Sequence, residues 1–189
     1  LEGAGDRSSR ADVMGRAMSW FQSPRQTAGL ALELQEERQI GLPGAVVTHT
    51  VQIDNLGEAG AGDTYRIKLT DSDWPMTVIS PTVDLQPCAS MSLNVRVEIP
   101  AGLGYDVVNE VTLSVRSTVS STLLLTVPLI TKTPAPVLLV DDDRWYPQEA
   151  AYRTALEASG IGYDYWDAEG GATGSRGTPA ADTLAMYPL

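Results

Sequence analysis

Between Leu30 and Ile130 apolar and polar residues alternate with a period of two, the pattern of strands with one face buried. Val47, His49, Val51 and Ile53 share one face against Thr48, Thr50 and Gln52, and Tyr65, Ile67 and Leu69 alternate with Arg66, Lys68 and Thr70. Met91, Leu93, Val95, Val97 and Ile99 then alternate with Ser92, Asn94, Arg96 and Glu98, and Val111, Leu113 and Val115 with Thr112, Ser114 and Arg116. A last strand follows through Leu123, Leu125, Val127 and Leu129. Turn-forming clusters at Asp54-Asn55-Leu56-Gly57, Asp71-Ser72-Asp73 and Pro100-Ala101-Gly102 separate the runs, so the pattern predicts about seven short strands.

That many strands in about a hundred residues is the signature of an Ig-like antiparallel β-sandwich. On either side the period changes. Ser9 and Asp12 are spaced as a capping box, and Val13, Met14, Ala17, Met18, Trp20 and Phe21 recur at helical spacing until Gln22-Ser23-Pro24 ends the helix. Such a stripe would be exposed on a lone helix, so it is expected to pack on a preceding domain; folding back on the sandwich is the alternative.

Thr133-Pro134-Ala135-Pro136 predicts an extended, semi-rigid spacer. After it come an apolar parallel strand, Val137 to Val140, and a helix from Gln148 to Ser159 with Glu149 and Arg153 at i,i+4 and Gly160 ending it. A second parallel strand is expected from Tyr163 to Trp166, then a glycine-rich loop from Gly170 to Pro179, and Met186-Tyr187-Pro188-Leu189 reads as the approach to a third strand.

The expected fold class is therefore mainly β: an Ig-like sandwich (residues 27–133), a short N-terminal helix closing a preceding α/β domain (1–26), and an incomplete C-terminal α/β, flavodoxin-like segment (134–189). Parallel sheets need several βα repeats to cover both faces, so this last segment reads as the start of a domain and the chain as a window on a longer protein. Leu1 is no initiator methionine, and any targeting signal is expected outside the window.

Charge narrows the partners. A net charge of -11 and a pI near 4.4, with no local Lys/Arg cluster, repel a phosphate backbone and argue against nucleic acid and anionic membrane surfaces. No apolar run approaches the ~20 residues of a bilayer-spanning helix. Cys88 is the only cysteine, which fits a reducing compartment and equally an exported protein that relies on its hydrophobic core.

Asp141, Asp142 and Asp143 end the first parallel strand, where open α/β folds bind ligands, and clustered carboxylates there can hold Mg²⁺ or Ca²⁺. The competing reading is a solvated loop whose acids cap the following helix. A receiver domain starting at Val137 would also place acids there, but Trp145, Tyr146 and the aromatic run Tyr163-Asp164-Tyr165-Trp166-Asp167 fit a receiver poorly. His49 lies on a core face with no serine or cysteine to activate, so a packed, hydrogen-bonded histidine is favoured over a base. Cys88 has no basic neighbour to make it reactive. Trp74 before Pro75 reads as a core plug rather than a carbohydrate platform, and Gly170-Gly171-Ala172-Thr173-Gly174 lacks the lysine of a phosphate cradle. No catalytic residue is named.

Gly41-Leu42-Pro43-Gly44, Val47-Thr48-His49-Thr50-Val51, Asp54-Asn55-Leu56-Gly57, Asp63-Thr64-Tyr65, Trp74, Leu85-Gln86-Pro87 and Val95-Arg96-Val97-Glu98-Ile99-Pro100 resemble, in that order, the NPCBM-associated Ig-like domains of bacteria and archaea. The resemblance covers about residues 28–131. It implies an accessory module of a secreted or surface protein, such as a peptidase or glycosidase, without catalytic residues. Cys88 departs from it, standing where the family turns on glycine. Asp6 to Phe21 is similar to the closing helix of class I glutamine-amidotransferase-like domains, and Val137 to Asp143 with Tyr163 to Asp167 is similar to the opening of another. The expectation is a non-catalytic spacer or adhesion module, extracellular or at the cell surface. Its partners would be neighbouring domains of the same chain and possible surface ligands such as carbohydrate or another surface protein. The rivals are an accessory segment of an enzyme whose active site the α/β flanks complete, and a receiver-based signalling protein.

Overall fold

The computed structural model describes residues 13–16, 18, 28–58, 62–70, 72–142, 148–168 and 176–188. The strands are β1 (Leu30–Leu34), β2 (Arg38–Ile40), β3 (Val46–Asn55), β4 (Asp63–Leu69), β5 (Met76–Val78), β6 (Thr82–Leu85), β7 (Ser90–Glu98), β8 (Val108–Ser117), β9 (Leu124–Lys132), β10 (Val137–Asp141) and β11 (Tyr163–Asp167). Helix α1 is Glu149–Ala158 and α2 is Ala181–Leu184. Two sheets, ordered β1-β3-β7-β5 and β2-β9-β8-β4-β6, form an Ig-like sandwich whose neighbours follow the A-B-E-D and G-F-C orders of that fold. Nine strands replace the expected seven. The pairs are antiparallel except β2 on β9, which runs parallel from Arg38↔Ile130 to Ile40↔Lys132.

Alternation produces the core as the sequence implies. Val51 and Ile53 of β3, Tyr65 and Ile67 of β4, Leu93 and Val95 of β7, Leu113 and Val115 of β8 and Leu129 of β9 meet between the sheets. Each such side chain contributes roughly 1.5–3 kcal/mol of burial. The expected faces fray at two strand starts, where Met91 and Leu125 are exposed. Trp74 is buried with Val97 and Ile99, as a plug rather than a platform.

Polar side chains fix the turns. Asn55 donates Nδ2–H to the Leu85 carbonyl at 3.0 Å and accepts from Gly57 N–H at 2.9 Å, closing the predicted Asp54-to-Gly57 turn onto β6. The buried Asp63 carboxylate accepts from the Ser117 hydroxyl and from the Thr118 and Val119 amides, both at 3.2 Å, and so fastens the start of β4 to the β8–β9 hairpin. Tyr65 donates its hydroxyl to the Gly29 carbonyl at 2.9 Å, and its pKa rises to about 12 through burial and then the Asp63 charge.

The C-terminal segment follows the reading through its second strand and then departs from it. β10 and β11 pair in parallel, and α1 between them ends before Gly160, whose φ of +66° supplies the left-handed turn. Arg153 turns to β11, donating Nε–H to the Tyr163 hydroxyl at 3.1 Å with its guanidinium 5.4 Å from the Tyr165 ring. The four-residue α2 lies just before the expected approach to a third strand; within that stretch Met186 to Pro188 are turn, bend and irregular residues, and Leu189 lies outside the described residues. Of the N-terminal helix, residues 13–16 and 18 are helical, and Val13, Met14 and Met18 are exposed. The remainder of that expectation, and the 170–175 part of the glycine-rich loop, lie outside the described residues. Among the described residues no helix is long and apolar enough to cross a membrane.

Candidate functional site

The chain leaves the sandwich through Thr131, Lys132, Thr133, Pro134 and Ala135, and all five are buried. Burial of Thr133, Pro134 and Ala135 corrects the reading of Thr133-Pro134-Ala135-Pro136 as an extended spacer. Thr133 accepts from Val107 N–H at 2.9 Å and donates its hydroxyl to the Gly104 carbonyl at 2.8 Å, while its own N–H reaches the Val107 carbonyl at 3.0 Å. Pro134 has no N–H, but its carbonyl accepts from Asp106 N–H at 2.9 Å. Ala135 donates its N–H to Asp164 Oδ2 at 2.8 Å. The segment is hydrogen-bonded on both sides.

Lys132 lies at the centre. Alternation along β9 turns Thr131 inward to the core, so Lys132 points to the opposite side, where its ammonium meets Asp106 and, at 2.7 Å, Asp164 Oδ1. Asp164 Oδ2 accepts from Ala135 N–H and, at 3.0 Å, from the Tyr187 hydroxyl. Burial, then the facing Asp164 charge, raises the Tyr187 pKa and keeps it a donor. The Lys132 and Asp164 side chains are each 4 % exposed, so both ions have lost water at a cost of several kcal/mol each. Two carboxylates around one ammonium, with the remaining oxygen hydrogen-bonded, are the conditions under which that loss is offset. Removing one partner would strand a buried charge.

The backbone is shaped to this contact. Asp106 takes a left-handed φ of +59°, which aspartate tolerates, and so faces Lys132. A Cβ on Gly162 would stand 2.8 Å from Asp106 Oδ2, so glycine permits the close approach. A cleft of ≈350 Å³ lies beside the ion group, lined by Arg38 and Ile40 of β2 and by Leu138, Trp166, Met186 and Tyr187. Trp166 is held by its Nε1–H bond to the Gly177 carbonyl at 2.7 Å and by the Arg176 guanidinium 5.1 Å from its ring.

Of the acidic residues singled out in the sequence, Asp141 ends β10 in register with Asp167 and accepts a hydrogen bond from the Tyr165 hydroxyl. Burial, followed by this bond, raises the Tyr165 pKa. Asp142 is exposed, and Asp143 lies outside the described residues. The N-cap of α1 is Gln148, with no side-chain cap bond, so neither Asp141 nor Asp142 caps the helix. Among the described residues no three His, Cys, Asp or Glu side chains gather as a metal site. His49 is fully buried and shares a 2.8 Å hydrogen bond between Nε2 and Thr131 Oγ1 across the two sheets.

The sequence reading missed Lys132, Asp106 and Asp164. One signal was available. A carboxylate at Asp164, in the middle of an expected strand and flanked by Tyr163 and Tyr165, needs a buried partner or an exposed face.

No family profile matches the chain, and no curated protein matches it. Solved structures similar in chain path include a family 123 glycoside hydrolase from Clostridium perfringens, at 7 % identity and a TM-score of 0.44 over 61 % of this chain and 30 % of that one. The secreted serine protease VesC from Vibrio cholerae is similar at 17 % identity and a TM-score of 0.40, over 72 % of this chain and 27 % of that one. The CsuC–CsuE chaperone–tip adhesion subunit complex of Acinetobacter baumannii is similar at 12 % identity and a TM-score of 0.40, over 68 % and 66 %. This chain spans less than a third of the hydrolase and of the protease, and its assignment as an Ig-like sandwich rests on its own strand order.

Proposed function

We propose that this chain is a non-catalytic module that sets the spacing and orientation of its neighbours within a large exported bacterial or archaeal protein, at the cell surface or outside the cell. The supporting observation is the buried connection from β9 to β10, locked by Lys132 between Asp106 and Asp164. A freely swinging pair of domains would leave this segment solvated; here its hydrogen bonds and charges are satisfied across the joint. The NPCBM-associated resemblance supports the exported setting, with neighbouring domains of the same chain as first partners and carbohydrate or another surface protein as outer ones. The chain's net charge of -11 weighs against nucleic acid. No cofactor is needed for this role, and Mg²⁺ or Ca²⁺ at Asp141 to Asp143 is not part of it.

Electron-spin distance measurement tests the reading, with one label on the exposed Cys88 of the sandwich and one at Tyr152→Cys on α1. A narrow distance distribution is expected at neutral pH. Lys132→Met should broaden it while the sandwich keeps its strand circular dichroism, and Asp164→Asn should do so more weakly. A broad distribution in the parent, or no broadening in either variant, would refute the coupling role.

A further inference from the structure

We propose that His49 is an acid-operated release for the joint, an inference that rests on the coupling role above. His49 is fully buried between the sheets, and the one hydrogen bond its ring makes among the described residues, Nε2 to Thr131 Oγ1, ties β3 to the residue immediately before Lys132. Its Nδ1 has no hydrogen-bond partner among the described residues. Asn109, opposite Thr131 in the β8–β9 register, has an equally unpartnered Nδ2, which is a donor and offers nothing to an imidazolium N–H.

Among the described residues no charge faces the ring. From β7 its register partner is Val95, and from β9 it meets Thr131. The charged residues of the surrounding strands, Glu33 on β1, Arg38 on β2, Arg96 and Glu98 on β7 and Glu110 and Arg116 on β8, are exposed. Lys132 is directed to Asp106 and Asp164 instead. Burial accordingly lowers the His49 pKa from 6.5 to about 4. Protonation would place a cation with an unsatisfied N–H in the core, and water must reach it.

The contact that has to open lies at the end of β9. Beyond Leu129 that strand pairs with β8 on one side and with only the three-residue β2 on the other, and Thr131, Lys132 and Thr133 are consecutive on one backbone and shift together. Moving Thr131 from His49 therefore draws Lys132 from its carboxylates and frees the second unit.

The sign follows from linkage. The closed state holds the ring neutral and the open state lets it titrate normally, so closure is favoured above pH 6.5 and is lost as pH falls from 6.5 to about 4. Between pH 7 and pH 4.5 the open-to-closed ratio should rise by roughly 60-fold, toward a limit of about 300-fold well below pH 4.

The test repeats the Cys88 to Tyr152→Cys distance measurement on the full chain at pH 7 and pH 4.5. The parent should be narrow at pH 7 and broad at pH 4.5, while His49→Gln and His49→Leu, which carry no titrating ring, should be narrow at both. A broad parent at pH 7 refutes the coupling role itself. A parent narrow at both values, or broadening that persists in the variants and so belongs to Asp106 and Asp164, refutes the release alone. Should neither variant fold, NMR titration of the single histidine decides: a ring titrating near 6.5 in the folded chain overturns the proposal, and one titrating near 4 together with loss of the Thr131 contact upholds it.

Discussion

Cys88 carries a left-handed φ of +60° in the turn Leu85-Gln86-Pro87-Cys88, with its backbone N–H bonded to the Gly57 carbonyl at 3.2 Å. A side chain in that region costs about 1–2 kcal/mol, and glycine avoids the cost while adding entropy to the unfolded chain. Cys88→Gly should therefore raise stability by up to about 1 kcal/mol, or about 2–4 °C in Tm, and Cys88→Val should lower it. Calorimetry on the two variants checks this; a destabilised glycine variant would mean that the Sγ contact to Gly57, at 3.6 Å, outweighs the strain. This turn was legible only through the resemblance, which places a glycine turn where Cys88 stands. Lys132 was not: a lysine at the end of a strand ordinarily reads as solvated, and what buries it lies 26 residues away at Asp106 and 32 away at Asp164.

At the scale of elements, alternation fixed the interior strands, since a slip of one residue would turn a whole apolar row to solvent. Val95 is fully buried and Arg96 beside it is exposed. Val95→Asp is expected to cost more than about 4 kcal/mol and to unfold the sandwich, whereas Arg96→Asp should stay within about 0.5 kcal/mol. Equal shifts in urea midpoints would show the register to be wrong. The strands that alternation did not resolve are β1, β2, β5 and β6, three to five residues long and lying at sheet edges, where too few positions repeat for a period to emerge. α2, of four residues, is invisible for the same reason. The spacer reading of residues 133–136 failed differently: proline excludes donors, but it does not exclude burial when its carbonyl finds an acceptor's role in the loop before β8.

Across the whole molecule, the chain enters the sandwich at one end and leaves at the other, because Leu30 pairs with Asn55 at the far end of β3 while Lys132 pairs with Ile40 beside the joint. The parallel β2–β9 patch, extended by the Gly41 N–H to Lys132 carbonyl bond of 3.1 Å, lies along the line joining these points. Tension applied along the polypeptide would load those bonds sideways and together, rather than peel them one at a time. Pulled between attachment points at residues 28 and 136, the protein should rupture at a higher force than when pulled between residues 105 and 136, which sit at the same end and would strip β9 from β8 pair by pair. Equal rupture forces in a single-molecule experiment would refute the shear geometry. A parallel strand of only three residues thereby becomes the element that determines how much load the chain can carry between its two ends.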